Sequence, residues 1–247
     1  MTAVAVFGSQ GRMGRQICLE APAAGFEVRA CYDLGLPDAP SPLPDDVGVV
    51  VDFSSPSAFD ALGKLLEGGS AALVSGTTGL GAGEMSLLQD WSASRAVFYS
   101  PNMSMGVYAL CRLVFEAGRL LGRGFDLEIV ETHHRGKADS PSGTALKLLE
   151  SWSAGSGSAL RPVHGRSGRM GPRTAEEAGL HSVRGGDVPG DHEVHLLGDG
   201  ERLLLAHRAS GRRTFALGAL AAARFVLESP PGLYGMDDLA RWSSRDV

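Results

Sequence analysis

The chain has 247 residues, of which 43% are hydrophobic and 21% charged, which is an ordinary composition for a globular protein with one large domain or two small ones. Its formal net charge of −5 argues against a protein that binds nucleic acid. No apolar run approaches the ~20 residues that a membrane span needs, and the N-terminus does not resemble a signal peptide. Three cysteines without a CxxC motif, Cys18, Cys31 and Cys111, favour buried, reduced thiols and hence a cytoplasmic protein.

The first motif is a glycine-rich turn between a strand and a helix. A predicted strand at residues 3–7 leads into Gly8-Ser-Gln-Gly11-Arg-Met-Gly14, and a helix follows to about residue 21. The GxxGxxG spacing is a variant of the dinucleotide-binding motif, in which glycines permit a tight turn, close approach of a pyrophosphate and close packing of helix on strand. A second strand, 27–32, ends at Asp33, where a carboxylate can bind adenosine ribose hydroxyls. A plain βαβ unit without nucleotide is the alternative.

The alternation of strands and helices continues to about residue 100. Strands at 47–53, 71–74 and 96–99 are separated by helices at 57–67 and 83–93, which predicts a Rossmann-like, doubly wound parallel sheet in an α/β fold. Ligands of such sheets bind beyond the carboxyl ends of the strands. The loops at those ends supply the predicted cofactor-binding residues, which are Gly8, Ser9, Gln10, Gly11, Arg12, Met13, Asp33, Phe53, Gly76, Thr77, Thr78, Ser100, Pro101, Asn102 and Met103.

A second motif occupies residues 131–144. After an apolar helix at 106–121, an alternating strand at 125–131 leads into a loop with two histidines, an arginine and a lysine. A helix at 144–152 follows, with Ser142 or Thr144 as its N-cap. Cations beside a helix N-terminus suit anion binding, and the histidines can transfer protons near neutral pH. The alternative is a solvated basic loop beside an ordinary cap.

The remaining chain predicts a smaller α+β domain with an open sheet. The Gly-, Ser- and Arg-rich segment 153–173 is interpreted as a solvated, mobile loop that could line a site for an acidic substrate. Strands at 192–197 and 202–208 form a hairpin, which suggests a largely antiparallel sheet. The helix at 214–227 can return to the first domain, and a short helix ends the tail at 232–239. The predicted domains are therefore 1–106 with 214–247, and 107–213.

These motifs together resemble the dihydrodipicolinate reductase family, the 4-hydroxy-tetrahydrodipicolinate reductases. The matching segments span nearly the whole chain, and the motif at 131–144 is highly specific to the family. They are Gly8–Gly14, Gly76–Gly79, Pro101-Asn102, Glu131–Thr144, Arg184–Asp187 with His192, His207–Ala216 and Gly232–Tyr234. The resemblance implies reduction of 4-hydroxy-tetrahydrodipicolinate to tetrahydrodipicolinate by NADH or NADPH, in the diaminopimelate route of lysine biosynthesis. It also implies a Rossmann-like domain beside a smaller domain with an open mixed sheet.

The resemblance further implies roles for individual residues. His133 is the expected proton donor, and Lys137 is a second donor that also binds a substrate carboxylate. The expected ligands of the dicarboxylate substrate are His134, Ser142, Gly143 and Thr144, with Thr78 and Arg212 as weaker candidates. Arg212 could instead be an exposed charge beside Arg213. No metal is expected, and the domain 107–213 is expected to bind substrate and to build a homotetramer through its open sheet.

Two departures from the family pattern concern the segment after Asp33. The segment is short, so we expect one peripheral strand or helix to be absent, and Leu34 stands where some members carry an arginine that can meet a 2′-phosphate. Asp33 would repel that phosphate, and the next lysine or arginine is Lys64, so we expect NADH to be preferred unless Arg12 swings toward the 2′ position. The remaining alternatives are another two-domain dehydrogenase for an amino or hydroxy acid, and a nucleotide-sensing module without turnover.

Overall fold

The structure is a computed structural model that describes residues 1–33 and 43–244. The chain divides into a first unit, residues 1–105 with 212–244, and a second unit, residues 106–211. The predictions about Leu34 and the shortened segment fall on 34–42 and lie outside the described residues. Within the described ranges, no helix has the length and apolar character needed to cross a membrane.

A six-stranded parallel sheet forms the first unit. With elements numbered in chain order, its strands are β1 (Thr2–Phe7), β2 (Phe26–Tyr32), β3 (Val47–Asp52), β4 (Ala72–Ser75), β5 (Ala96–Tyr99) and β11 (Gly232–Tyr234). The strand order is β11-β5-β4-β3-β1-β2, and every neighbouring pair is parallel. The predicted doubly wound sheet is therefore confirmed. The three-residue strand β11 was not predicted, because so short a segment shows no alternation.

Helices cover both faces of this sheet. They are α1 (Arg12–Glu20), α2 (Phe59–Leu66), α3 (Ala82–Ser92), α6 (Arg213–Leu227) and α7 (Met236–Ser243), with a 3-10 turn at Pro56–Ala58. Val4 and Val6 of β1 belong to the core that contains the alanine-rich helix α6, whereas Ala3 and Ala5 belong to the core that contains α2. A strand that is buried on both faces must be apolar, and β1 is apolar over its buried residues, 3–7.

The second unit has a five-stranded sheet with two helices. The strands are β6 (Asp126–His133), β7 (Arg161–Val163), β8 (Glu177–Arg184), β9 (Asp191–Gly198) and β10 (Glu201–Arg208), and the helices are α4 (Met105–Leu121) and α5 (Gly143–Ser156), with a 3-10 turn at Gly122–Gly124. The strand order is β10-β9-β6-β8-β7. Leu127 and Ile129 of the central strand β6 pack with Val114 of α4 and with Leu148 and Trp152 of α5.

The open mixed sheet is confirmed, but three details of its prediction are wrong. The sheet is not largely antiparallel, because β6 pairs with β8 and β7 with β8 in parallel. The predicted loop 153–173 begins inside α5 and contains β7. The strand β8 was missed; it contains Gly179, where a Cβ would lie 1.7 Å from Glu128 Oε2, so a glycine breaks the apolar pattern for a packing reason.

Three of the four arginines in the predicted loop are held by carboxylates. Arg161 and Arg166 contact Glu177 at 2.7 and 2.9 Å, and Arg166 and Arg173 contact Glu128 at 3.1 and 3.2 Å. Residues 164–172 are exposed, as the interpretation as a solvated loop predicts, and a contact with an acidic substrate stays a prediction. Arg166 and Arg173 attach this segment to the central strand β6 through Glu128.

The three cysteines are free thiols, as predicted, although each is half-buried and not buried. The Sγ atoms of Cys18 on α1 and Cys31 on β2 are 3.9 Å apart. Burial, together with the adjacent Cys31, raises the pKa of Cys18 to about 12. Cys18 is therefore a protonated thiol at neutral pH.

Candidate active site

The glycine-rich turn of the first unit lies directly against the end of β3. Gly8 has φ +80°, and a Cβ on it would lie 2.5 Å from the carbonyl oxygen of Phe53. A Cβ on Gly14 would lie 2.2 Å from the carbonyl oxygen of Gly8. The backbone N–H of Gln10 donates to the Asp33 carboxylate at 2.7 Å. These contacts require glycine at both positions and attach the turn to the ends of two strands.

A cleft opens at the point where the strand order reverses, between β1 and β3. It is lined by Phe7, Gly8, Gly11, Asp33, Phe53, Ser54, Ser55 and Ala58. The first turn of α1 begins here at Gly11, and no side chain among the described residues caps it. Uncapped N–H groups and the positive end of the helix dipole favour a bound anion. Arg12 is exposed in this turn, whereas Met13 packs against the core.

A buried carboxylate organises the neighbouring loops of the first unit. Asp52, at the end of β3, is fully buried and accepts hydrogen bonds from Ser54 Oγ at 2.6 Å, Ser75 Oγ at 2.7 Å and Thr77 Oγ1 at 2.9 Å. Burial raises the pKa of Asp52, although these hydroxyl donors oppose the shift. No role was predicted for Asp52, although it is the single acidic residue of an otherwise apolar strand and stands at its end.

The other candidate cofactor residues of the first unit fall into two loops. In the loop after β4, Gly76 lies against the Phe53 ring, where a Cβ would lie 2.3 Å from ring atoms, and the buried Thr77 hydroxyl also accepts from Ser54 N at 3.0 Å. Thr78 is exposed. The Thr77 hydroxyl is therefore engaged within the protein, and Thr78 is available to a ligand.

The loop after β5 is closed by its own hydrogen bonds. Ser100 Oγ donates to the Asn102 carbonyl at 2.7 Å, and Asn102 Oδ1 accepts from Ser104 N at 3.0 Å. Pro101 is exposed. The Met103 side chain is 1% exposed and lies in the core, so only the backbone of Met103 can contact a cofactor.

In the second unit, strand register brings four polar residues to one face of the sheet. Glu131 and His133 lie two residues apart on β6 and therefore point the same way. His192 of β9 is opposite Glu131, and Arg184 of β8 is opposite His133. The predicted strand stopped at Glu131, but β6 continues to His133. His133 is therefore held by a central strand and not by a loop.

The Glu131 carboxylate is the centre of this group. It is 1% exposed and accepts a hydrogen bond from His133 Nδ1. Arg184 donates to both carboxylate oxygens, at 2.8 and 2.7 Å, and the backbone N–H of Ser142 donates at 3.2 Å. No role was predicted for Glu131, Arg184 or His192, although all three fall within the family motifs. The signal for Glu131 was a charge on the buried face of an alternating strand.

Ser142 is the N-cap of α5, which resolves the choice between Ser142 and Thr144. Ser142 Oγ accepts from Ala145 N at 3.2 Å and lies 3.2 Å from His192 Nε2. Gly143 and Thr144 form the first turn of α5, and Gly143 is exposed. The hydroxyl of Ser142 is thus engaged within the protein, while the helix N-terminus at Gly143 faces solvent.

The basic residues of the motif follow β6. The ammonium of Lys137 contacts the Asp139 carboxylate at 2.8 Å. Although burial opposes it, this contact holds the pKa of Asp139 below its usual value. The backbone N–H of His134 donates to the Val188 carbonyl at 2.8 Å, and the His134 side chain is half-buried. Lys137 is therefore a paired cation that an incoming carboxylate could bind.

Burial and neighbouring charges set the pKa values of Glu131, His133 and His192, with a different balance at each residue. Burial alone would raise the pKa of Glu131, but the bonds from Arg184, Ser182 and His133 lower it to about 2. Burial lowers the pKa of His133, and the Glu131 carboxylate opposes part of that shift. Burial and the adjacent His133 lower the pKa of His192 to about 3. At neutral pH the group thus contains an ionised Glu131 and a neutral His192.

Arg212, the remaining candidate, belongs to the first unit. It is half-buried at the start of α6, whereas the adjacent Arg213 is exposed and contacts Glu20 at 3.1 Å. Burial and the charge of Arg12 lower the pKa of Arg212. Arg212 is therefore not a fully exposed surface charge. Among the described residues, no group of three or more His, Cys, Asp or Glu side chains is placed to hold a metal ion.

Comparison with known proteins agrees with this architecture. The family model described as dihydrodipicolinate reductase, N-terminus, matches residues 2–103, and the model described as dihydrodipicolinate reductase, C-terminus, matches residues 106–240. A 4-hydroxy-tetrahydrodipicolinate reductase from Nitrosomonas eutropha is 39% identical over 96% of this chain and 97% of its own length. The enzyme of the same name from Rubrobacter xylanophilus is 40% identical over 97% of this chain and 98% of its own length.

Solved structures share the fold at lower identity. A dipicolinate-bound dihydrodipicolinate reductase from Paenisporosarcina sp. TG-14 has a TM-score of 0.72 and 21% identity, covering 96% of this chain and 98% of that chain. GenD2 from gentamicin A biosynthesis, in complex with NAD, has a TM-score of 0.57 and 14% identity, covering 96% of this chain and 89% of that chain.

The Rossmann-like unit and the relatives together define a nicotinamide-dinucleotide-dependent oxidoreductase. The chain belongs to the dihydrodipicolinate reductase family. Its reaction is the reduction of 4-hydroxy-tetrahydrodipicolinate in the diaminopimelate route of lysine biosynthesis. This excludes the two alternatives, a dehydrogenase for another amino or hydroxy acid and a nucleotide sensor without turnover.

The neutral, buried His192 predicts a pH dependence of stability. Because its pKa is lowered from 6.5 to about 3, the unfolded chain binds a proton that the folded protein does not, so stability is complete above pH 6.5 and is lost as pH falls toward 3. Between pH 6.5 and 5, the unfolding free energy of His192→Gln should fall less steeply than that of the wild type, with slopes that differ by up to about 1.4 kcal/mol per pH unit. Urea unfolding at several pH values measures the slope. The exposed His164→Gln is the control, and parallel curves for wild type and His192→Gln would contradict the assignment.

Proposed function

We propose that His133 is the general acid of the reduction. The observation that carries the proposal is the hydrogen bond from His133 Nδ1 to the buried Glu131 carboxylate, beside the N-cap of α5. A cyclic, conjugated imine becomes electron-rich when it accepts hydride, and it must then take a proton. A histidine that is fixed through one ring nitrogen can give a proton from the other, which suits that transfer.

We further propose that the second unit binds the two substrate carboxylates. The exposed N-terminus of α5, at Gly143 and Thr144, would hold one carboxylate through backbone N–H groups. Lys137, whose ammonium already contacts the carboxylate of Asp139, would bind the other and serve as a second donor. His134 would contact the ring or a carboxylate. Thr78 and Arg212 of the first unit remain weaker candidates, and the Ser142 hydroxyl would contribute through the cap.

For the cofactor, we propose that the cleft of the first unit holds a nicotinamide dinucleotide. The close approach of Gly8 to Phe53 and the uncapped start of α1 at Gly11 suit a pyrophosphate, and Asp33 suits a ribose. The nicotinamide, when bound, supplies the hydride. The loops at Gly76–Thr78 and Ser100–Met103 would contact the rest of the cofactor.

We propose two further properties of the whole protein. The outward face of the second unit's sheet carries apolar residues, including Val183 at 48% and Leu204 at 52% exposed, and a homotetramer would cover them. The three free thiols favour the cytoplasm as the compartment.

The variant His133→Gln tests the acid. We expect kcat to fall by about 10²-fold or more, because a positioned acid contributes that much, while the Kd for NADH stays nearly unchanged. Lys137→Met should lower kcat and also raise KM for the substrate, because it removes a donor and a charge. Loss of absorbance at the nicotinamide band, with the product of the preceding enzyme as substrate, measures both. Full activity of His133→Gln would refute its role.

Cofactor preference gives a second test. Asp33 would accept hydrogen bonds from the ribose hydroxyls of NADH and repel the 2′-phosphate of NADPH, whereas the exposed Arg12 would favour the phosphate. One carboxylate against one arginine should leave NADH preferred by about tenfold, or about 1.4 kcal/mol. Fluorescence titration of both cofactors at fixed salt measures the ratio. Tighter binding of NADPH would show that Arg12 outweighs Asp33.

Light scattering tests the proposed tetramer. Wild type should elute with the mass of four chains, and Leu204→Asp should shift it to smaller species, because a charge would be buried in the interface. Leu120→Asp is the matched control, since Leu120 is 71% exposed on helix α4 and not on the sheet. A monomeric wild type, or equal effects of both variants, would rule out an interface on this face.

A further inference from the structure

Glu131 is a buried, ionised carboxylate, and its presence in the interior requires an explanation. A carboxylate that is removed from water is costly unless donors surround it, and Glu131 has donors from three elements. These are Arg184 and Ser182 on β8, the backbone of Ser142 at the start of α5 and His133 on its own strand. Arg184 and Ser142 alone would hold the carboxylate in place. The bond to His133 is thus the contact through which Glu131 can act on the reaction.

We propose that Glu131 is a positioning residue for the reduction. It holds the imidazole of His133 with a proton on Nδ1, so that Nε2 is the nitrogen that gives a proton to the substrate. The inference rests on the proposed role of His133 as the acid and extends it to a residue that need not touch the substrate.

The space beside Nε2 agrees with this assignment. A Cβ on Gly190 would lie 3.0 Å from His133 Nε2 and 3.4 Å from Cδ2, so a side chain at position 190 would press on the nitrogen that gives the proton, and glycine avoids this contact. In the transfer, the Nε2–H bond of the imidazolium breaks, its electron pair stays on Nε2, and the proton forms a bond to the electron-rich atom of the reduced substrate. His133 is left neutral and still donates from Nδ1 to Glu131.

Charge supports the same role. The groups that act on His133 are Glu131, Lys137 and Arg184, and the ring of His192 lies 5.2 Å away, edge to face. Burial, Lys137 and Arg184 lower the pKa of His133, whereas Glu131 raises it. Among these groups Glu131 is the one that favours the cationic, proton-donating form of the imidazole.

The variant Glu131→Gln separates positioning from mere packing. Its amide oxygen should take the place of Oε1, because both partners of Oε1, Arg184 Nη2 and Ser142 N, can only donate. At the place of Oε2 the amide loses the bond from Arg184 Nη1, but His133 Nδ1 can change from donor to acceptor. The amide NH₂ then faces His133 Nδ1 and donates to it. The neutral imidazole is forced to carry its proton on Nε2, and the imidazolium is disfavoured. In serine proteases, replacing the aspartate that pairs with the catalytic histidine by asparagine likewise leaves that histidine in the wrong tautomer.

The experiment combines kinetics with ¹⁵N NMR of the histidine rings. For Glu131→Gln we expect kcat to fall by about 10²-fold or more, while KM for the substrate and Kd for NADH stay within about threefold. The pH at which kcat falls on the alkaline side should be lower than in the wild type by about one unit or more. The neutral His133 ring, identified by its absence in His133→Gln, should change from the Nδ1–H to the Nε2–H tautomer. Glu131→Asp should have a kcat at least about tenfold above that of Glu131→Gln, and its His133 ring should be in the Nδ1–H tautomer.

Glu128→Gln is the matched control. Glu128 lies on the same strand three residues earlier and therefore on the opposite face, and it too pairs with one histidine, His181 at 2.7 Å, and with two arginines. This variant should leave kcat, the pH profile and the His133 tautomer unchanged. Equal losses in both variants would reduce Glu131 to a structural ion pair.

The outcomes distinguish this proposal from the one on which it rests. Full activity of His133→Gln would overturn the acid itself. An inactive His133→Gln with an unchanged kcat, pH profile and tautomer in Glu131→Gln would overturn only the positioning role. If Glu131→Gln does not fold, the wild-type spectrum decides, because a neutral His133 with its proton on Nε2 is incompatible with the proposal.

Discussion

The burial of one carboxylate fixes how the second unit is arranged around its site. Glu131 stays ionised at 1% exposure because β8 supplies Arg184, α5 supplies a backbone N–H from Ser142 and its own strand supplies His133. The strand β6 must therefore lie beside β8 and under the start of α5. A slip of one residue in the pairing of β6 and β8 would turn Arg184 to the opposite face and leave the carboxylate without its cation. The hydrogen bonds that hold the site are thus also the ones that specify register.

The first unit uses a buried carboxylate in a different way. Asp52 is surrounded by hydroxyls and backbone, with no cation among the partners that the structure gives it, and burial raises its pKa; Glu131 is paired with a guanidinium and its pKa falls to about 2. Hydroxyl groups can rotate to suit either protonation state, so Asp52 can join the loops after β3 and β4 without needing its charge. Glu131 instead depends on its charge, because it must balance Arg184 and hold an imidazole.

Local patterns in the sequence predicted local structure well. The turn at Gly8–Gly14, the parallel sheet and the cap at Ser142 each follow from residues that are close together in the chain, and the structure confirms them. What was missed depends on distant residues. The strand β8 contains Gly179, whose absence of a side chain makes sense only beside Glu128, and β11 is a strand only because β5 offers it an edge. The partners of Asp52 and Glu131 were equally out of reach, since a carboxylate in the sequence does not reveal its donors. The catalytic and binding roles remain predictions.

The pairing of β11 with β5 has a consequence for how the chain acquires its shape during synthesis. Residues 232–234 pair with residues 96–98, and the whole second unit, residues 106–211, is made between them. The second unit is one continuous stretch and can fold as soon as it leaves the ribosome, whereas the sheet and the α6 core of the first unit wait for the last part of the chain. Such distant pairings also raise contact order, which slows folding. In the nascent first unit, the face of β1 and β3 that packs on α6 therefore stays incompletely covered until translation is nearly complete, and this interval favours aggregation.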